Sequence, residues 1–215
     1  MAKAKVMAKA NGTTFVGVSD QNNRTIALME PYKATIEIVG TAKLLFHCWN
    51  SAPPVTKVKG GASKTYDDLE SYVMRDEKGR IVIPTVNFCA SIREAGKSYP
   101  DPASPRKSMR DRLNAIVVPF NEYGVMVSVD PKNTKHWDFV DSRRACIQRA
   151  GITRQRPGLF EGWKTTFEVM VLAPDYLQPE KLHEIIESAG KFQAIGDFRP
   201  SHGRYRVTSF QISKI

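Results

Sequence analysis

Two groups of residues in this sequence carry the chemistry of an anion-binding surface. The first is the stretch from Ala189 to Val207, which sets Lys191, Arg199, Arg204 and Arg206 around Gly190, Gly196 and Gly203, with His202 among them. Glycine lets backbone N–H groups come close to a ligand, and the cations favour a phosphodiester. The second is the segment from Asp138 to Arg156, which holds Arg143, Arg144, Arg149, Arg154 and Arg156 with only Asp141 close by. An extended backbone would place Arg143 and Arg149 on one side. Solubility alone does not explain five arginines in so short a span. Trp49 and His47, beside a lysine-rich loop, supply rings able to stack on bases, a contact of about 1–3 kcal/mol per base. Phe46 reads as core. The plainer reading of the same residues is a helix cap, a tight turn and solvated arginines.

Bulk properties agree with a polyanionic partner. The chain has 215 residues, 41% of them hydrophobic, which is enough to build a core of one elaborated domain. Its 32 Lys and Arg against 22 Asp and Glu leave a net charge of +10, as suits nucleic acid or an acidic membrane face. Cys48, Cys89 and Cys146 are odd in number and form no CxxC, so neither a disulfide framework nor a zinc knuckle is indicated and a reducing, cytoplasmic setting is expected. No apolar run approaches the roughly 18 residues of a membrane span, and no secretory apolar region follows Met1. His47, His136, His183 and His202 have no metal-ligand spacing, so neither a metal nor a cofactor is expected.

These residues must be positioned by the elements between them. Residues 1–31 read as an N-terminal extension in which Thr14–Val18 and Thr25–Met29 flank a polar turn and form a hairpin. Ala34 to Phe46 reads as one long strand with Gly40 in its middle. Residues 50–64 form a basic loop. Tyr72–Arg75 and Arg80–Ile83 surround Asp76–Gly79 as a hairpin. Pro84 and Thr85 then open a helix with Thr85 as N-cap, Val86, Cys89, Ile92 and Ala95 as its apolar stripe and Gly96 as its stop. Asn87, Ser91 and Arg93 face away from that stripe.

Residues 98–112 carry three prolines and the cations Arg106, Lys107 and Arg110, and read as an inserted basic arm. Leu113–Phe120 and Val125–Val129 read as strands, as do the 145–148 span and Trp163–Leu172. Leu177, Leu182, Ile185, Ile186 and Ala189 mark a second helix, with Pro179 in its first turn and Gly190 just past its end. Tyr205–Ile212 is a last strand. This order predicts an α+β fold: a single RRM-like, ferredoxin-like core over residues 32–215, with the N-terminal extension and an insertion at 98–137.

Three pieces in this order resemble a known family: the early strand with Gly40, the phrase from Tyr72 to Ala95, and the terminal stretch from Ile195 to Tyr205. Together they are similar to the RAMP superfamily of CRISPR-associated proteins, above all its Cas-seven-type backbone subunits. Here Thr85-Val86-Asn87 stands where that family has Gly-Ser-Ser, and the terminal loop has fewer glycines. The resemblance implies a subunit that oligomerises along single-stranded guide RNA in an antiviral ribonucleoprotein, with other effector subunits and a complementary DNA or RNA target as partners. It also implies RNA contacts from the helix that begins at Thr85, through Asn87, Ser91 and Arg93, and a thumb within 98–137.

The resemblance raises two enzymatic possibilities. Some relatives cut target RNA with an acidic residue before the hairpin, where Asp67, Asp68 and Glu70 stand, and spacing does not choose among them. A RAMP endoribonuclease using His47 as general acid or base is the other, since a pKa near 6.5 suits that work. An acidic loop is more often simply solvated, and a non-enzymatic role is expected. A sequence-independent single-stranded DNA binding or annealing protein of a phage or mobile element would use the same basic surface without CRISPR partners.

Overall fold

The computed structural model of the chain describes residues 30–48, 69–147 and 150–215, together with two short strands near the N-terminus, β1 (Met7–Ala10) and β2 (Thr13–Val16). Trp49, Asp67, Asp68, Arg149, the basic loop at 50–64 and the second arm of the expected N-terminal hairpin lie outside the described residues.

The chain continues through β3 (Tyr32–Gly40) and β4 (Leu44–Leu45) to a single 3₁₀ turn at Glu70–Tyr72, then β5 (Val82–Pro84) and helix α1 (Thr85–Ala95). The ribbon β6 (Pro100–Asp101) and β7 (Ser104–Ser108) follows, then α2 (Arg110–Ile116), β8 (Val117–Pro119) and β9 (Tyr123–Val125). The last part holds β10 (Phe139–Ile147), β11 (Ala150–Leu159), β12 (Lys164–Val171), α3 (Pro179–Phe192) and β13 (Tyr205–Lys214). It is a mixed α and β fold whose main sheet runs β1-β2-β13-β3-β12-β8, antiparallel at every junction except β2 with β13.

Alternation on β3 and β12, and on β13 with a bulge between Val207 and Ser209 that resets its phase, turns Ile36, Ile38, Phe167, Val169, Val207 and Phe210 to one face, where α1 and α3 lie side by side and bury Phe88, Ile92, Leu182, Ile185 and Ile186. The opposite face is polar. Lys33, Thr35, Glu37, Lys164, Thr166, Glu168, Arg206 and Thr208 alternate with the core residues, and Lys33 pairs with Glu168 at 3.2 Å.

Several expectations are corrected. The long strand from Ala34 breaks after Gly40, because the Trp163 indole packs where a Cβ at Gly40 would stand, and its Nε1 donates to the Ala42 carbonyl at 2.8 Å. Leu44 and Leu45 then cross to a second sheet, β10-β11-β4. Thr85 does not cap α1. Pro84 precedes the helix, and Thr85 is buried with its hydroxyl donating to Asn121 Oδ1 at 2.8 Å. The buried face of α1 is Thr85, Phe88, Ser91, Ile92 and Ala95, whereas Val86 is exposed. Phe88 sets that rotation, since its ring stacks on Phe167 at 4.6 Å and touches Tyr205 at 5.8 Å, aromatic pairs adding about 0.5–1.5 kcal/mol to burial.

The start of the Leu113–Phe120 span is helical to Ile116, because Met109, Leu113 and Ile116 recur at helical spacing on a buried face and only Val117–Pro119 joins the sheet. Gly190 lies inside α3, close against Tyr205, and the helix runs on to Phe192. The turn at Asp76–Gly79 is as expected: Gly79 has φ +71°, and the Asp76 carboxylate accepts from the Lys78 and Arg80 N–H groups at 3.0 and 2.8 Å. No helix among the described residues is long and apolar enough to cross a membrane.

Candidate nucleic-acid interface

The arginine-dense segment is the β10–β11 hairpin, and its register decides which arginines act together. Asp141 lies opposite Arg156, and Arg143 opposite Arg154. Cross-strand partners share a face, so Arg143, Arg154, Arg156 and Asp141 project together while Arg144 lies on the other face, exposed.

That face meets the loop 195–203, a segment stitched to the chain between β3 and β5. The N–H groups of Asp197 and Gly203 donate to the Leu45 and Lys43 carbonyls at 3.0 and 2.8 Å, and Ile195 N–H donates to Gly203 at 3.1 Å. Gly203 has φ +73°, and a Cβ there would overlap the Ile195 carbonyl, so this closure requires glycine. These hydrogen bonds take up the N–H groups of Ile195, Asp197 and Gly203, which are therefore not offered to a phosphate.

Arg156 is paired with Asp197 and lies over the Phe198 ring, 4.5 Å from its centroid. Arg143 Nε donates to Asp141 Oδ1 at 3.0 Å, and its guanidinium also lies over Phe198, 5.3 Å from the ring centroid. Cation–π contacts of this kind are worth about 0.5–2 kcal/mol. Phe198 holds φ +56°, a conformation costing on the order of 1 kcal/mol or more in a non-glycine residue, and it keeps the ring under both guanidinium groups. Each outer arginine also meets a histidine: Arg143 Nη2 and His202 Nε2 are 3.0 Å apart, Arg154 Nη1 and His47 Nε2 2.8 Å. A guanidinium only donates, so both Nε2 atoms accept and both imidazoles are neutral in this arrangement. Burial, reinforced by Arg143, holds the His202 pKa below the ordinary histidine value.

Beside this face is a cavity of about 140 Å³, lined by His47, Tyr72, Met74, Pro84, Asn87 and Asp197 among others. The His47 and Tyr72 rings lie 4.5 Å apart. Asn87 thus joins the hairpin and loop residues, while Arg199 and Arg204 are exposed at the loop's far end. Phe46 is core, as expected.

The remaining candidates lie elsewhere. Arg93, at the other end of α1, donates to Asn114 Oδ1 at 2.8 Å, and Arg110 to Glu94 Oε1 at 3.0 Å. Arg106 and Lys107 are exposed on the β6–β7 ribbon. Ser91 is a correction: it is fully buried, facing the buried Tyr205 phenol, and presents nothing to a ligand. Of the acidic candidates, Glu70 is described, and Arg75 grips its carboxylate through Nε and Nη2 and lowers its pKa. Among the described residues no three His, Cys, Asp or Glu come together as a metal site.

Sequence reasoning passed over Asp197, Phe198, Tyr72 and Lys43. The Lys43 ammonium lies over the stacked Phe139 and Phe160 rings, 5.2 and 5.5 Å from their centroids. Phe198 had a sequence signal, a large ring inside a Gly- and Arg-rich turn. Asp197 and Lys43 had none, because each is defined by a partner far along the chain.

No family model matches the sequence, and no curated protein matches it. The structure is similar to a chain in the cryo-EM structure of the Type III-B Cmr-beta bound to cognate target RNA, with a TM-score of 0.53 at 10% identity, covering 88% of this chain. This chain spans 63% of that chain's length. At that identity the two share a fold.

Proposed function

We propose that this chain binds single-stranded RNA as a guide-holding backbone subunit of a RAMP-type CRISPR ribonucleoprotein, assembling with further copies and other subunits along the guide. The observation that carries the reading is the hairpin face on which Arg143 and Arg154 reach solvent beside the buried Arg156, with Phe198 of the Gly196–Gly203 loop under Arg143 and Arg156. Fold similarity to a chain of an RNA-bound Cmr complex supports it. So does the order β13-β3-β12-β8 with α1 and α3 on one face, the arrangement an RRM-like core would have.

RRM domains stack bases on aromatic residues of the sheet. Among the described residues of β3, β12 and β13, the polar face has no aromatic ring, so the RNA path in this reading runs over the hairpin and loop. Phosphates would take the guanidinium donors now turned to His47 and His202, with Phe198 as a stacking ring beneath. In the same reading the β6–β7 ribbon is an arm that brings Arg106 and Lys107 to the nucleic acid, while α2 and β8 after it belong to the core.

Filter binding with RNA and DNA oligonucleotides of one sequence, at two salt concentrations, tests this. RNA should bind more tightly, and log affinity should fall with log salt by about 0.7 per phosphate neutralised. Equal affinity for DNA would indicate a generic single-strand binder instead, and affinity indifferent to salt would overturn the arginine face as the site.

A further inference from the structure

The loop that meets the arginine face also borders a second concavity. Pro200, Ser201 and Arg204 line it together with Lys191 and Phe192 from the end of α3, enclosing about 400 Å³. Phe192 is 67% exposed, more than any other large hydrophobic side chain among the described residues. It stands three residues beyond Ala189, so the apolar stripe of α3 reaches it in sequence, yet the helix has by then passed the core. Lys191 and Arg204 are both exposed, and among the described residues neither has an acidic partner, whereas Arg143, Arg156, Arg110 and Arg112 all do. Among the described residues no carboxylate lines the concavity.

An exposed ring flanked by unpaired cations is the chemistry that single-strand binders present to a base and its phosphate. The carbonyl end of α3 disfavours an anion, a repulsion that the Lys191 and Arg204 charges offset, so the apolar ring takes the base and the two cations the phosphate. Continuity with the first surface selects the occupant. Phe198 and His202 face the hairpin arginines, while Pro200 and Ser201, between them in the chain, form the wall of the second concavity. A strand crossing this loop meets both.

We propose that Phe192, Lys191 and Arg204 form a second subsite for single-stranded nucleic acid, with one base on the Phe192 ring and the adjoining phosphate on the two cations. The inference rests on the nucleic-acid reading of the arginine face and extends that path by one nucleotide.

Fluorescence anisotropy with single-stranded RNA of about 4 and about 16 nucleotides separates the two surfaces. Phe192→Ala should weaken the long oligonucleotide about ten-fold and leave the short one within about two-fold, and Phe192→Trp should restore the long-oligonucleotide affinity. Arg143→Ala should weaken both lengths. Equal affinities of wild type and Phe192→Ala at both lengths would overturn the subsite while leaving the arginine face intact. A Phe192→Ala effect confined to self-association in sedimentation would overturn it in favour of a protein contact. Failure of wild type to bind at any length would remove both readings together.

Discussion

Arg143 and Arg154 lie directly opposite each other in the β10–β11 register, and each guanidinium ends on the Nε2 of a neutral histidine brought from another part of the chain, His202 and His47. Two like charges on adjacent strands would ordinarily repel. The histidine lone pairs, and Asp141 beside Arg143, hold them side by side as a phosphate would.

Replacing Arg143 and Arg154 together by alanine should weaken RNA binding at low salt and reduce the salt slope by about 1.4, roughly 0.7 for each phosphate that is no longer neutralised. Titrations at several salt concentrations measure this. Both side chains reach solvent, so thermal unfolding should change by only a few degrees; an unchanged slope would remove the pair from the interface.

His202 should make RNA binding dependent on pH. Its ring lies among Arg143, Lys43, Asp141 and Phe198, and burial together with Arg143 lowers its pKa. The folded protein therefore favours the neutral ring. Its contribution to stability is present above about pH 6.5 and is lost as the pH falls through that value toward the lower folded pKa. A bound phosphate reverses the preference by favouring the imidazolium. Affinity should rise between about pH 7.5 and about pH 6, and His202→Gln should remove that part of the rise, the comparison isolating it from the other histidines. Identical pH profiles for the two proteins would count against a phosphate at His202.

Asp197→Ala should destabilise the fold through Arg156, whose side chain is only 9% exposed and would be left without its carboxylate. Because Asp197 itself is 31% exposed, the loss should be about 1–3 kcal/mol rather than that of a fully buried pair. At this chain length that is roughly 2–4 °C per kcal/mol, read by thermal unfolding. Adding Arg156→Met should recover most of it, since no buried charge is then left alone.

Local chemistry was enough for part of this architecture. The spacing of Leu182, Ile185, Ile186 and Ala189 announces α3, strict alternation announces β12, alternation on either side of a bulge announces β13, and Asp76 with Gly79 announces a turn, because in each case the deciding interactions lie within a few residues. The arginine segment was likewise visible in the sequence as a candidate binding element. What the sequence could not decide depends on distant partners. Trp163 ends β3 at Gly40, Phe167 and Tyr205 turn α1 so that Ser91 is buried and Val86 exposed, and Leu113 packs as helix where its apolar run suited a strand equally well. The interface follows the same rule. Arginine density is a property of composition, but whether Arg143, Arg154 and Arg156 share one face, and whether Phe198, His47 and His202 stand under it, is set by hairpin register and by a loop tied to Lys43 and Leu45, near the other end of the chain.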